Sequence, residues 1–329
     1  MRLIPVLALL VLLSVPISAG AQSATPTAAS PVVTTGDFAG LVDIGDRSLY
    51  LECRGSGSPT VILEAGFRSR ADYWTDDLIQ PDAPRTMVFA GVAAVTRVCA
   101  YDRPGTTTVI DGALQPSRSD PVAMPRTALD SVQDLHALLQ ATKVPGPYVL
   151  VGHSYGGMLA RLYASSYPNE IVGMVLVDAF SEGLEDQMTT EQWTAYEGLF
   201  QPVPDALAGY DDLEFIELDT SALQVREATA ATPLRPIPLV VLSRGQVMEM
   251  SADLPGGLTG EGRERAWTAE QGRLAALLPD ARHVIARASE HYIQLQQPEL
   301  VIAAVRDVVE AVRDPVSWAT SAASPSPAA

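Results

Sequence analysis

The chain has 329 residues, 47% of them hydrophobic, which is enough for one large α/β domain or two smaller ones. Its 39 acidic against 22 basic residues leave a net charge of −17, which argues against a nucleic-acid backbone or an anionic membrane surface as partner. Only two cysteines, Cys53 and Cys99, are present and they form no CxxC pair, so a structural zinc site is not expected.

The first residues, "MRLIPVLALLVLLSVPISAGAQS", set one arginine before an apolar run from Leu3 to about Val15, followed by Ala19-Gly20-Ala21. This pattern predicts a secretory signal peptide over 1–21, cleaved before Gln22. The run is shorter than the roughly 20 residues that cross a bilayer, so no stable membrane anchor is expected and the mature protein should be secreted or extracytoplasmic. Residues 22–37, rich in Ala, Thr, Ser and Pro, read as a flexible linker, and 319–329 as a disordered tail of the same character. The folded domain is expected over 38–318.

Within it, "LYLEC" (49–53), "TVILEAG" (60–66), "RVCAYD" (97–102), "PYVLVGH" (147–153), "IVGMVLVDA" (171–179), "IPLVVLS" (237–243) and "ARHVIARA" (281–288) have strand length and composition. Helical patterns lie between them, as at Leu129, Val132, Leu135, Leu138 and Leu139. Continuous apolar strands separated by helices predict an α/β fold, a mostly parallel sheet covered on both faces. The stretch from about 181 to 236 breaks the alternation: it offers no strand pattern and scatters Trp193, Tyr196, Phe200 and Tyr210 among acids. An insertion of that length in a compact domain reads as a helical cap over a site.

At "VLVGHSYGGMLARLY", Ser154 stands between the strand Tyr148–Val151 and a helical pattern from Gly157 to Tyr163. A Gly-x-Ser-x-Gly pentapeptide alone is common; at a strand-turn-helix junction it marks a serine lifted above a sheet edge. Gly152 and Gly156 leave room for the tight turn, and the helix N-terminus favours a developing anion. A serine hydroxyl attacks only when a base takes its proton. Of the four histidines, His136 lies on an apolar helix stripe, His153 adjoins the serine and points to the other face, and His283 falls within the last strand. His291 alone follows that strand in a loop and is the candidate base.

"GHSYGG", taken with "VILEAGF", "YDRPG" and "HYIQLQQPELV" in that order, resembles the α/β-hydrolase fold superfamily over nearly the whole domain. The resemblance implies an eight-stranded sheet with the nucleophile after the fifth strand, a cap after the sixth and a Ser-acid-His order. Serine at the nucleophile position disfavours the haloalkane dehalogenase and epoxide hydrolase branches. The oxyanion donors it implies are the backbone N–H groups of Tyr155 and Phe67. Many relatives carry His-Gly just before the latter, where this chain has Ala65-Gly66, so a supporting side chain is expected to be missing. Asp102 and Arg103 of "YDRPG" read as structural supports, and Glu290, where relatives often have glycine, as a group that crowds or acidifies the site. The superfamily strand order sets the second and fourth strands side by side and so implies a Cys53–Cys99 disulfide.

The acid is the least determined member. Relatives that carry it after the seventh strand would place it at Met248, with Glu249 or Asp253 as substitutes; other branches carry it after the sixth, where Asp178 stands. Asp178 is favoured because a strand end holds a carboxylate more rigidly than a loop. The expected activity is that of a secreted serine hydrolase cleaving a small-molecule carboxylic ester without metal or cofactor. An amidase or aminopeptidase with the same residues, and a non-catalytic binding protein on the same fold, are the alternatives. The sequence leaves the oligomeric state open.

Overall fold

The computed structural model describes residues 36–200, 210, 212–248, 253–316 and 318. The expected leader, nearly all of the linker, Glu249 and the tail lie outside the described residues. In chain order the elements are β1 (Phe38–Asp43), β2 (Ser48–Arg54), β3 (Thr60–Glu64), α1 (Asp72–Thr75), α2 (Val88–Ala93), β4 (Val98–Tyr101), β5 (Thr107–Ile110), β6 (Ala113–Pro116) and α3 (Ala128–Thr142). There follow β7 (Tyr148–His153), α4 (Tyr155–Ser166), β8 (Ile171–Val177), α5 (Thr190–Glu197), α6 (Leu218–Ala231), β9 (Leu239–Arg244), α7 (Gly260–Ala275), β10 (Arg282–Ala286), α8 (Ile293–Gln296) and α9 (Pro298–Arg313).

Eight strands form one sheet in the order β1-β2-β4-β3-β7-β8-β9-β10. β1 and β4 each pair antiparallel with β2, and every other pair is parallel. β3 and β7 are buried along their whole length, which is why they read as unbroken apolar runs. Helices cover both faces: Leu135, Leu138 and Leu139 of α3 and Met158 and Leu162 of α4 pack on one side, Val301, Val305 and Val308 of α9 with Phe89 of α2 on the other. The sequence reading misses β1, a half-exposed edge strand that alternates buried and open positions, and the separate β5–β6 hairpin.

Cys53 and Cys99 stand opposite each other in the β2–β4 register and form a disulfide, as the strand order implied. Between β8 and β9 the described residues form a short 3₁₀ turn, α5 and α6, and no strand. Parallel strands carry their C-terminal ends to one edge of the sheet, and in α/β sheets that edge is where ligands bind.

Candidate active site

Ser154 leaves the end of β7 with φ 52° and ψ −122°, a conformation an L-residue adopts only when its surroundings enforce it. They do so here: Ser154 N–H donates to the Val177 carbonyl at 3.1 Å, and Ser154 C=O accepts from Phe180 N–H at 2.8 Å. A side chain at Gly152 would strike the Gly156 backbone, and one at Gly156 would strike the carbonyls of Glu64 and Ala65. The two glycines are therefore what lets the turn pack against β3.

Asp178 is the first residue beyond β8 and is fully buried. Its Oδ2 accepts from His291 Nδ1 at 2.6 Å and from the Arg244 guanidinium at 2.7 Å; its Oδ1 accepts from Trp267 Nε1 at 3.0 Å and from Arg244 N–H at 3.1 Å. Burial works against ionisation, but the hydrogen bond and charge of His291, the charge of Arg244 and the Trp267 bond outweigh it and hold the carboxyl down at about 2. A carboxylate can only accept, so Nδ1 of His291 carries a hydrogen and Nε2 is the nitrogen left to take a proton. Among the described residues Ser154 Oγ and His291 Nε2 are not hydrogen-bonded; such contacts are often long without substrate.

His153, called away from the serine's face, has a different task. Its Nε2 lies 3.0 Å from the His291 carbonyl, so that nitrogen is the protonated one and ties down the loop that carries the candidate base. Burial, aided by the charge of His291, pushes its basicity down to about 3, so the ring is neutral. His136 stacks on Tyr167 at 3.8 Å between centroids, and His283 bonds Ser243 Oγ at 2.7 Å; neither lies at the site. Asp253 lies ahead of α7 and accepts from Gly260 N–H at 3.3 Å, and among the described residues no contact joins it to His291. Met248 lines the cavity described below, and Glu249 falls outside the described residues. Glu290 donates its backbone N–H to Gln296 at 2.8 Å.

Ser154 and His291 line a cavity of about 190 Å³ together with Phe180, Tyr196, Phe200, Trp267, Arg244 and Arg263 among others. A recess of about 20 Å³ beside it touches Phe67, Tyr155, Ile216 and Leu218. The aromatic rings brace one another, Phe67 to Phe200 at 5.4 Å and Phe180 to Trp267 at 6.1 Å between centroids. A wider groove of about 640 Å³ lies at the opposite end of the strands, around Ile171, Pro238 and Trp318, and carries neither the serine nor the histidine. Among the described residues the N–H groups of Phe67 and Tyr155 have no acceptor. Also among them, no group of three His, Cys, Asp or Glu side chains could hold a metal ion, and no helix is long and apolar enough to cross a membrane.

Asp102 accepts from Arg118 and from Ala71 N–H and anchors the turn after β4. The sequence reading missed Arg244 and Trp267, the two side chains that complete the shell of Asp178. Arg244 had one visible signal, its place immediately after the predicted strand "IPLVVLS"; Trp267, on a helix 89 residues from Asp178, had none.

The sequence profile described as Alpha/beta hydrolase family matches residues 61–304, most of the domain and all of the residues above except those beyond its ends. The chain belongs to the α/β hydrolase family. That membership supports hydrolase activity. An AB hydrolase superfamily protein of Gibberella zeae is 25% identical over 321 residues, 81% of this chain and 92% of that one. "Probable transporter efuK" of Hormonema carpetanum is 30% identical over 192 residues, 55% of this chain and 24% of that protein, so the chain spans about a quarter of that relative's length. Among solved structures, Cfl2 of Burkholderia cenocepacia superposes with a TM-score of 0.57 at 17% identity, covering 84% of this chain and 96% of that one. A thermophilic esterase of Thermogutta terrifontis does so at 0.52 and 19%, covering 84% and 99%. Likeness at such low identity speaks for the fold.

Proposed function

We propose that this α/β hydrolase is a secreted serine esterase that cleaves a carboxylic ester with a short acyl group through an acyl-enzyme. The observation that carries the reading is the 2.6 Å bond to a buried, ionised Asp178 from His291, which lines one cavity with Ser154. Ser154 Oγ attacks the ester carbonyl as its proton passes to His291 Nε2, and Asp178 stabilises the imidazolium. The carbonyl oxygen gains the negative charge and accepts from Tyr155 and Phe67 N–H. As the intermediate collapses, the C–O bond to the leaving group breaks, and His291 returns its proton to the departing alcohol. Water then repeats the route: its proton goes to His291, its oxygen joins the acyl carbon, and Ser154 leaves as the free hydroxyl with the acid as product. The cavity of about 190 Å³ falls below the usual range for drug-sized ligands, which favours a small acyl group. The apolar leader with its small-residue cleavage pattern supports export.

The test is covalent labelling of the purified mature protein with a fluorophosphonate, together with turnover of p-nitrophenyl esters of graded chain length. Labelling and turnover are both expected to vanish in Ser154→Ala, and short esters to be preferred. Labelling that persists in Ser154→Ala rejects the assignment, and faster turnover of aminoacyl anilides than of any ester makes the protein an amidase.

A further inference from the structure

The His-Gly of many relatives is Ala65-Gly66 here, yet the loop after β3 does not lack a support. Arg103 is fully buried beneath it and uses all five of its N–H donors. Two go to the loop's carbonyls, Ala65 at 2.8 Å and Gly66 at 2.7 Å; one reaches Glu64 at 2.6 Å; two reach Glu214 at 2.7 and 3.1 Å. Glu64 is held in turn by Tyr101 O–H at 2.7 Å. Glu214, in the stretch between β8 and β9, also accepts from Arg68 N–H at 2.5 Å, while its own N–H donates to Gly105 C=O at 2.8 Å.

The peptide plane gives this arrangement a direction. In a trans peptide C=O and N–H point opposite ways, so fixing Gly66 C=O, which accepts from Arg103 at 2.7 Å and from Ser69 N–H at 3.1 Å, turns Phe67 N–H to the other side of the plane. The serine lies close by: a Cβ placed on Gly66 would stand 3.3 Å from Ser154 Cβ and 2.9 Å from His153 Nδ1, and Phe67 shares a recess with Ser154 and Tyr155. Phe67 N–H itself has no acceptor among the described residues. An N–H reserved for a transient anion has to stay vacant, and it can be oriented only through the back of its own peptide.

We propose that Arg103 is a positioning residue for the oxyanion hole: it aims Phe67 N–H at Ser154 by holding Gly66 C=O, and Glu214 of the cap segment is the clamp that keeps Arg103 in place. The seating of the cap segment and the formation of the hole are thereby one event. The inference rests on the acyl-transfer reading above.

Arg103→Lys keeps the charge that Glu64 and Glu214 need but cannot reach both carboxylates and both carbonyls. Loss of one oxyanion donor costs about 10²–10³-fold in kcat, so a misaligned one is expected to cost about 10- to 100-fold in Arg103→Lys and about 10-fold in Glu214→Gln. KM should stay within about threefold, and the fluorophosphonate inactivation rate should fall by the same factor as kcat, because phosphonylation also builds charge on an oxygen in the hole. A folded Arg103→Lys enzyme with wild-type kcat overturns the proposal, as does a loss confined to KM or to the melting temperature. If Arg103→Lys does not fold, Glu214→Gln decides on the same criteria. A crystal structure of the wild-type phosphonate adduct reads the geometry without any variant: the phosphonyl oxygen should sit on Phe67 N–H with Gly66 C=O still on Arg103, and a Gly66 carbonyl turned off Arg103 rejects the idea. Turnover that survives in Ser154→Ala rejects the acyl-transfer reading instead, so the two failures are distinct.

Discussion

β3 and β8 flank the strand that delivers Ser154, and the loops at their ends are held in opposite ways. Beyond β8, Asp178 is gripped at its own oxygens by His291, Arg244 and Trp267. Beyond β3, the Phe67 N–H is left open and its peptide is gripped from behind, at Gly66 C=O, by Arg103. The chemistry each flank has to supply accounts for the difference. An acceptor that stays charged throughout a cycle is improved by every donor laid on it, whereas a donor meant for a passing oxyanion is ruined by any acceptor laid on it.

The largest expected effect breaks the β8 flank. Asp178→Asn keeps the shape but offers an amide where His291 Nδ1–H needs an acceptor, and loss of the orienting acid should cut turnover about 10⁴-fold with the fold retained by circular dichroism. Near-normal turnover, with collapse in Asp253→Asn or Glu249→Gln, would move the acid to the loop after β9.

A second test loads the other flank through its scaffold. The Cys53–Cys99 bridge closes a separation of 46 residues and staples β2 to β4, the strand that leads into Asp102 and Arg103. On the chain-entropy model its removal lowers stability by about 4 kcal/mol. Denaturant unfolding of the Cys53→Ser, Cys99→Ser double variant measures this, and kcat of the molecules that remain folded should be unchanged. A kcat that falls with the bridge would mean that the staple also tunes the oxyanion loop.

Acid acts on His153 and Asp178 with the same sign and in successive windows. The His153 ring titrates at about 3 in the folded protein, below the ordinary 6.5, so the unfolded chain takes up the extra proton in between. The stability due to neutral His153 is complete above pH 6.5 and declines as pH falls toward 3, by up to about 1.4 kcal/mol per pH unit. Asp178, held at about 2 against an ordinary 3.8, adds a loss in the same direction below that, as pH falls from near 4 toward 2. Urea midpoints between pH 7 and 4 should therefore drop for the wild type and flatten in His153→Gln, while a flat wild-type profile would show that the ring can be charged in place.

The smallest effect concerns one donor among several. Trp267→Phe keeps the ring against His291 and removes one bond to Asp178, worth about 1 kcal/mol, or roughly a fivefold loss in kcat. A loss as large as that of Asp178→Asn would mean that Trp267, and not the whole shell, orients the acid.

Much of the molecule was legible from the chain alone, because the features concerned are local. All seven strands read from apolar runs are present; those buried on both faces, such as β3 and β7, must be apolar at every position and so read most clearly. β1 was missed because an edge strand with Gly40 in it and open alternate positions gives too weak a pattern. The glycine spacing around Ser154 was equally legible, since the clash that Gly152 avoids is with Gly156 and Gly157, although the one that Gly156 avoids is with Glu64 and Ala65 on β3.

The site beyond Ser154 was legible only as a set of candidates. Asp178 was favoured over Asp253 and Glu249 only for the rigidity of a strand end, and what sets its carboxylate against a histidine 113 residues later is the parallel packing of β8 beside β7. Arg103 looked like a turn residue and is the centre of a buried network joining residues 37 to 111 positions apart. Sequence alone determined which segments form the strands and where the nucleophile turn falls, because apolar patterning and the backbone demands of a tight turn act over a few residues. The tertiary structure decided which carboxylate meets the histidine and which peptide turns its N–H toward the serine, because charge and hydrogen-bond geometry depend on distances in space, which local pattern does not encode.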